Sequence, residues 1–317
     1  MMDIKECTEE YWDAFVDNSP QGTVFNKSFF LKSYNCPVRY LICWKGEEAI
    51  AGFACVERPE GIQIESYQHL SGMIFRDLSY LINYRRNETI FLAMEAFAAH
   101  LFDRYREVAF SCHWDITDLR AFDWLNYHER DKGYYQVAVR HTSLLDISSP
   151  EDTSGYARNR VRELNKGIEA GDEFVTREIN DVPLLDRLHA MNFTRQGVTL
   201  SAYERESLIS ICQNLTKAGA GQMLATYVNE KPAVAIFFIY DKARAYALFV
   251  GMDLDFKDLG VGTKNIQQSC VFLNKNLGIK ELDFVGANSP LRSAYKLSYG
   301  GRLVPYFKVS KMEGKVI

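Results

Sequence analysis

The sequence has no cysteine pair at C-x-x-C spacing, and its seven cysteines are scattered singly and odd in number. That pattern excludes a disulfide framework or cysteine-built zinc site and points to reduced thiols in a cytoplasmic protein. The six histidines show no H-x-x-x-H or other ligand spacing, so no metal centre is expected. No run approaches the ~20 apolar residues needed to span a bilayer. Residues 1–6 carry acidic side chains and lack the apolar stretch of a secretion signal. An excess of positive charge is missing too: 37 Lys and Arg against 41 Asp and Glu leave a formal net charge of −4. This gives no global attraction for DNA, tRNA or anionic lipid, although local basic stretches remain available.

What is present is an ordinary globular composition, 47% apolar and 25% charged. A chain of 317 residues is long for one core and suits two domains of about 150 residues each. The division is expected at 1–150 and 151–317, with no low-complexity linker between the halves. Cys43, Cys55, Cys112 and Cys270 lie in apolar runs and read as small core residues.

The first half reads as a helix over 9–16, β-rich runs at 39–44, 49–56 and 61–67, and a helix over 89–105. A strand at 107–112, a helix over 119–127 and a closing hairpin over 134–145 follow. The second half repeats that order. It has strands at 222–228, 233–240 and 243–252, a helix over 263–276 and a strand at 280–285. A helix over 290–299 and a strand at 303–309 close it. Between the halves lie a basic helical segment over 156–166 and helical patterns at 184–193 and 203–215. Ser289 followed by Pro290 is a helix start signal, with Ser289 placed to cap.

The two halves align when Leu119 is laid on Leu291. Met94, Ala98, Leu101 and Tyr105 then fall on Ile266, Cys270, Leu273 and Leu277, the apolar stripe of a helix. One difference stands out. The second half opens that helix with Lys257-Asp258-Leu259-Gly260-Val261-Gly262-Thr263, whereas the first has Glu88 and Ile90 at the glycine positions. A glycine-rich turn leading into a helix N-terminus offers unpaired amides and a favourable dipole to a phosphate-like anion. A dinucleotide fingerprint would need a further glycine at position 265, which is Asn, and the Walker pattern is absent. An antiparallel meander, then a glycine turn, helix, strand and helix, is the order expected for an acyl-coenzyme A cradle.

With these motifs, the second half resembles an acyltransferase domain of the GNAT superfamily, whose pyrophosphate loop reads R/Q-x-x-G-x-G/A; Lys257 departs mildly from it. The whole chain resembles the double-GNAT proteins related to the Fem peptidyltransferases, most closely the BioF2-like branch. The matching stretches are residues 11–16, 22–25, 140–146, 158–162, 282–286 and 295–301. The implied fold is α/β (α+β): two tandem GNAT-like domains, each a mixed, mostly antiparallel sheet flanked by helices, the first degenerate.

The resemblance further implies an N-acyltransferase using acetyl-CoA or another acyl-CoA as co-substrate. Amides of Leu259, Gly260, Val261, Gly262 and Thr263 would hold the pyrophosphate, with Lys257 beside them. The strand of Phe249, Val250 and Gly251 would bond the pantetheine arm, and Asn288 joins the cofactor-binding set. Tyr295 is the candidate donor to the leaving thiolate; Tyr299 matches Tyr127 of the degenerate half, which favours packing for it. Asp253 is the candidate amine-side polar contact or base, against its reading as a solvated turn carboxylate. The run of Arg158, Arg160 and Arg162, with Arg195, would face an anionic acceptor, such as a nucleotide-sugar or glycan precursor carrying an amino group. Alternatively, the basic run is a solvated helix face paired with Glu163 and Glu169. Two other function classes stay open: a Fem-like ligase using aminoacyl-tRNA, and a binding module whose glycine turn is only a helix start.

Overall fold

The computed structural model describes residues 2–169, 173–194 and 197–314. The chain forms two compact units, one of Met1–Arg140 with Pro305–Ile317 and the other of His141–Val304. The division therefore lies ahead of residue 150, and the chain's last segment counts with the first unit. The reason is pairing: Lys308, Val309 and Ser310 lie antiparallel to Ser111, Phe110 and Ala109.

In chain order the first unit holds β1 (Met2–Glu6), α1 (Glu9–Asp17), α2 (Ser28–Leu31), β2 (Val38–Lys45), β3 (Glu48–Arg58), β4 (Gly61–Ile62), β5 (Ile74–Phe75), α3 (Asn83–Arg104), β6 (Glu107–Ser111) and α4 (Arg120–Asp123). β1, β2 and β3 are antiparallel neighbours, and β4 links β3 to β6. Thr8 starts α1 by accepting from the Tyr11 amide. α3 buries Ala93, Met94, Phe97, Ala98 and Leu101 in one cluster with Phe53 and Phe110 of the sheet. Each fully buried large apolar side chain contributes ~1.5–3 kcal/mol, so this stripe holds the helix on the sheet.

Three elements of this unit differ from expectation. The strand at 61–67 stops at Ile62, beyond which Glu65 binds back to Arg58 through two hydrogen bonds. The helix over 119–127 is four residues long, and Asn126 beyond it takes a left-handed φ of 54°. The expected hairpin is one strand, β7 (Tyr134–Asp146). Its interior lacks Gly, Pro, Asn or Asp to turn the chain. The residues of β7 from His141 onward belong to the second unit.

That unit continues with α5 (Arg158–Glu169), β8 (Phe174–Ile179), α6 (Val182–Thr194), α7 (Ala202–Lys217), β9 (Gly221–Val228), β10 (Lys231–Tyr240), β11 (Ala245–Met252), α8 (Val261–Leu277), β12 (Glu281–Asp283), α9 (Pro290–Leu297) and the start of β13 (Arg302–Met312). β8 to β11 form an antiparallel meander. β9 and β10 join through Asn229 and Glu230, both at positive φ (47° and 64°), the backbone of a tight hairpin turn that follows the strand twist. β12 pairs antiparallel with β7 on one side and parallel with β11 on the other. β8 was not anticipated, because its pattern of half-buried and exposed residues lacks a clear alternation.

Strand alternation sorts the side chains of this sheet into two faces. Leu224, Val234, Ile236 and Phe238 cluster with Val261, Ile266, Cys270 and Leu273 of α8. On the other face α6 and α7 pack against β11 and β9, where Gly221 leaves room for Phe237 and Leu215. Burial on both faces is why β10 reads as a continuous apolar run. Ser201 and Glu204 start α7 with a reciprocal capping box. Ser289 precedes α9 without making the expected side-chain cap. All four cysteines assigned to the core are buried. Among the described residues no helix is long and apolar enough to cross a membrane.

Candidate active site

β11 and β12 are paired over only two residues, Ala245 with Leu282 and Tyr246 with Asp283. Immediately beyond, β11 carries a bulge: Phe237 faces Phe249, whereas Phe238 faces Ala247, leaving Leu248 as the extra residue. A bulge bends and twists its strand, and β11 continues to Met252 without β12 beside it. Gly251 lies against α6; a Cβ there would sit 2.6 Å from Leu188 Cβ and 2.7 Å from the His189 amide nitrogen. The Val250 carbonyl meets His189 Nδ1 at 3.0 Å and accepts from Asn192 Nδ2 at 3.0 Å. Phe249 is buried, its ring 5.7 Å from that of His189. Burial lowers the His189 pKa, favouring the neutral ring.

The glycine turn follows. Asp253 spends one carboxylate oxygen capping the short helical turn after it, accepting from Asp255 N at 3.1 Å. Lys257 is exposed and Leu259 half-buried. Gly260 takes φ +72°, a left-handed backbone that glycine adopts without strain, and its Cα faces α5: a Cβ there would lie 2.2 Å from the Glu163 carbonyl oxygen. Val261 and Thr263 are buried. The Glu163 carboxylate accepts from the Thr263 hydroxyl and also pairs with Arg160. Arg160 Nη1 reaches Thr263 Oγ1 at 3.0 Å, and its guanidinium lies over the rings of Tyr295 (4.7 Å) and Tyr299 (5.6 Å).

The hydroxyls of Tyr295 in α9 and of Tyr299, two residues past its end, close this cluster. Tyr299 OH donates to Tyr295 OH at 2.7 Å and lies 3.2 Å from Thr263 Oγ1. Tyr299 is fully buried between Phe284 and Tyr156, which is a packing role, although its sequence counterpart Tyr127 is exposed. Tyr295 remains 39% exposed, but its hydroxyl turns inward: a Cβ built on Gly262 would lie 3.5 Å from it and 3.8 Å from Met252 Sδ. Burial raises the Tyr295 pKa, partly offset by the bond from Tyr299. This phenol keeps its proton at neutral pH.

The structure separates the arginines of the basic run. Arg160 is the enclosed member of the basic run, while the nominated Arg158 and Arg162 are exposed. Arg160, Glu163 and Leu164 share one helical face, a spacing that marks the inward side. Lys296 is the residue that the sequence reading missed. Its Nζ donates to the carbonyls of Val285 (2.8 Å) and Gly286 (2.6 Å), and burial lowers its pKa to about 8. Those carbonyls belong to a left-handed turn, φ 52° and 75°. The Val285 amide donates to Asp283 at 2.7 Å and the Gly286 amide to Thr142 at 3.1 Å. A β-branched residue at positive φ costs ~1–3 kcal/mol and persists only where its surroundings enforce it. No motif signals Lys296; tertiary structure alone gives it these partners. The Asn288 side chain is engaged with the backbone of His141, accepting at 2.9 Å and donating at 3.3 Å. Arg195 lies outside the described residues.

Residues 155–297 match the family model of the acetyltransferase (GNAT) domain. The second unit is a GNAT domain. No curated protein matches the chain in sequence. Among solved structures, FemX is similar with a TM-score of 0.64 at 9% identity, covering 96% of each chain. A conserved protein of unknown function from Bacteroides thetaiotaomicron has a TM-score of 0.59 at 12% identity, covering 98% of this chain and 100% of its own. A tandem GNAT protein from the clavulanic acid biosynthesis pathway has a TM-score of 0.53 at 9% identity, both chains fully covered. The chain thus has the tandem GNAT fold, and with its GNAT domain it is an acyltransferase.

Proposed function

We propose that the GNAT unit transfers an acyl group, acetyl in the simplest case, from an acyl-coenzyme A thioester to an amine. The observation that carries this reading is the position of the Tyr295 hydroxyl over Gly262, with Met252 Sδ bordering the same space, where the glycine turn, the end of β11 and α9 converge. The first turn of α8 is suited to a pyrophosphate. In the transfer, the amine lone pair forms a C–N bond at the thioester carbonyl, and the C–S bond breaks. Tyr295 gives its proton to the departing thiolate and is positioned by Tyr299. Asp253, through its second carboxylate oxygen, takes the proton shed by the new ammonium. Arg158 and Arg162, exposed on α5, favour an anionic acceptor, such as an amino-sugar nucleotide or another cell-envelope intermediate.

Calorimetry with acetyl-coenzyme A tests this directly: saturable binding is expected, and Gly262→Trp should abolish it by filling the space under Tyr295. A second reading, an aminoacyl-ester donor carried on tRNA, is favoured by one feature. The Val250 carbonyl that a pantetheine arm would use already meets His189 and Asn192. Retardation of aminoacyl-tRNA on a gel, together with no heat from acetyl-coenzyme A, would select it.

A further inference from the structure

The glycine turn is not bare. The α5 backbone rests on Gly260 so closely that no side chain fits between them, the Glu163 carbonyl oxygen standing 2.2 Å from where a Cβ would be. On the same turn of α5, the Glu163 carboxylate holds the Thr263 hydroxyl in the first turn of α8. Lys166 Nζ donates to the Asp258 carbonyl at 3.3 Å, one turn further along α5. Arg160 completes the closure, joined to Glu163 and Thr263 and lying across the two tyrosine rings. The negative group at this helix start is therefore supplied by the chain itself, where a helix N-terminus favours an anion. Arg160 carries a second signal. Its Nε is buried with no hydrogen-bond partner, so the guanidinium keeps one donor unspent while Glu163 occupies another.

We propose that α5 is a strap over the donor site: Glu163 holds it shut on Thr263, and an anionic acyl donor binds by displacing Glu163 and taking over Arg160. This rests on the coenzyme A reading of the site. Opening breaks the Glu163–Thr263 and Glu163–Arg160 contacts and frees Arg160 to place two donors on a phosphate, the bidentate geometry that guanidinium and phosphate share. Until then the strap keeps water and stray anions from the Tyr295 hydroxyl. The donor must offset the strap contacts on entry, so its measured affinity is weaker than the site itself would give.

Calorimetric titration of the full chain with coenzyme A, on wild type and Glu163→Gln, tests this. Glutamine keeps the size and can still accept from Thr263 but cannot pair with Arg160, so binding should tighten about tenfold. A second measurement needs no variant: in wild type, saturating coenzyme A should speed hydrogen exchange of the amides of 161–166, which the strap protects. Equal affinities with unchanged α5 exchange overturn the strap and leave the donor reading standing. Absence of binding to either protein overturns both.

Discussion

The Tyr299 hydroxyl, enclosed between Phe284 and Tyr156, donates to the Tyr295 hydroxyl at 2.7 Å. A fully buried side chain just past the end of α9 thereby aims a half-exposed one at the glycine turn. The two tyrosines sit four residues apart, about one helical turn, and the rings of Phe284 and Tyr156 hold the inner one in place.

Tyr295→Phe should keep the fold, since the lost hydroxyl leaves the ring and its contact with Arg160 in place. Acyl transfer should fall about 100-fold in kcat with little change in KM, the scale of one proton-transfer group. Steady-state kinetics on purified protein checks it, and an unchanged kcat would remove Tyr295 from the reaction.

Gly251 and Gly46 make a controlled pair. A methyl at Gly251 meets Leu188 and the His189 backbone, whereas at Gly46 nothing lies within 4 Å and only the φ of +65° resists a side chain. Gly251→Ala should cost about 1–3 kcal/mol by forcing α6 from β11. Gly46→Ala should cost about 1 kcal/mol. Urea unfolding ranks them; the reverse order would mean that α6 yields freely.

Lys296 predicts a pH signature. Its pKa is lowered from 10.5 to about 8 by burial, so between those values the unfolded chain holds a proton that the folded one has released. Its contribution to stability therefore rises with pH across that window. Buried thiols act oppositely. Cys112 and Cys270 are pushed from 9.0 up to about 12, and their contribution is present below pH 9.0 and lost as pH climbs. Comparing wild type with Lys296→Met cancels the thiols. The stability of wild type relative to the variant should improve from pH 8 to about 10; a constant difference would mean that Lys296 does not titrate there.

His189 gives the acid counterpart. Burial lowers its pKa below 6.5, so as pH falls the unfolded chain protonates first and stability is lost. Thermal melts at pH 6.5 and about 5 should show wild type losing more than His189→Gln, which cannot charge but can still donate to Val250. Equal losses would place the acid sensitivity elsewhere.

Much of this was legible beforehand where local chemistry decides. The stripe of Ile266, Cys270 and Leu273 marks α8, and Pro290 marks the start of α9, because periodicity and backbone restriction act within a few residues. The run from 134 to 145 was misread because its apolar and polar residues fit two short strands as well as one long one. Only the missing turn residues argued for the latter. Lys296 was passed over for a different reason: its partners are the carbonyls of a turn before the helix, and nothing in a helix sequence announces such contacts. The pairing of the basic run with Glu163 was legible from helix spacing, whereas the contact of Arg160 with Thr263, 103 residues on, was not. Arg158 and Arg162 drew notice by charge alone, which is what solvent-facing residues display.

The unpaired Leu248 carries a final consequence. Ala245 and Ala247 pack on the α8 side of the sheet, and plain alternation would send residue 249 there as well. The supernumerary residue reverses the parity, so Phe249 meets His189 on the opposite side. Taking Leu248 into the ladder as an ordinary paired residue would swing Phe249 and Gly251 through the plane and turn Val250 toward α6. One residue's worth of slack thus decides which helix the end of the strand answers to.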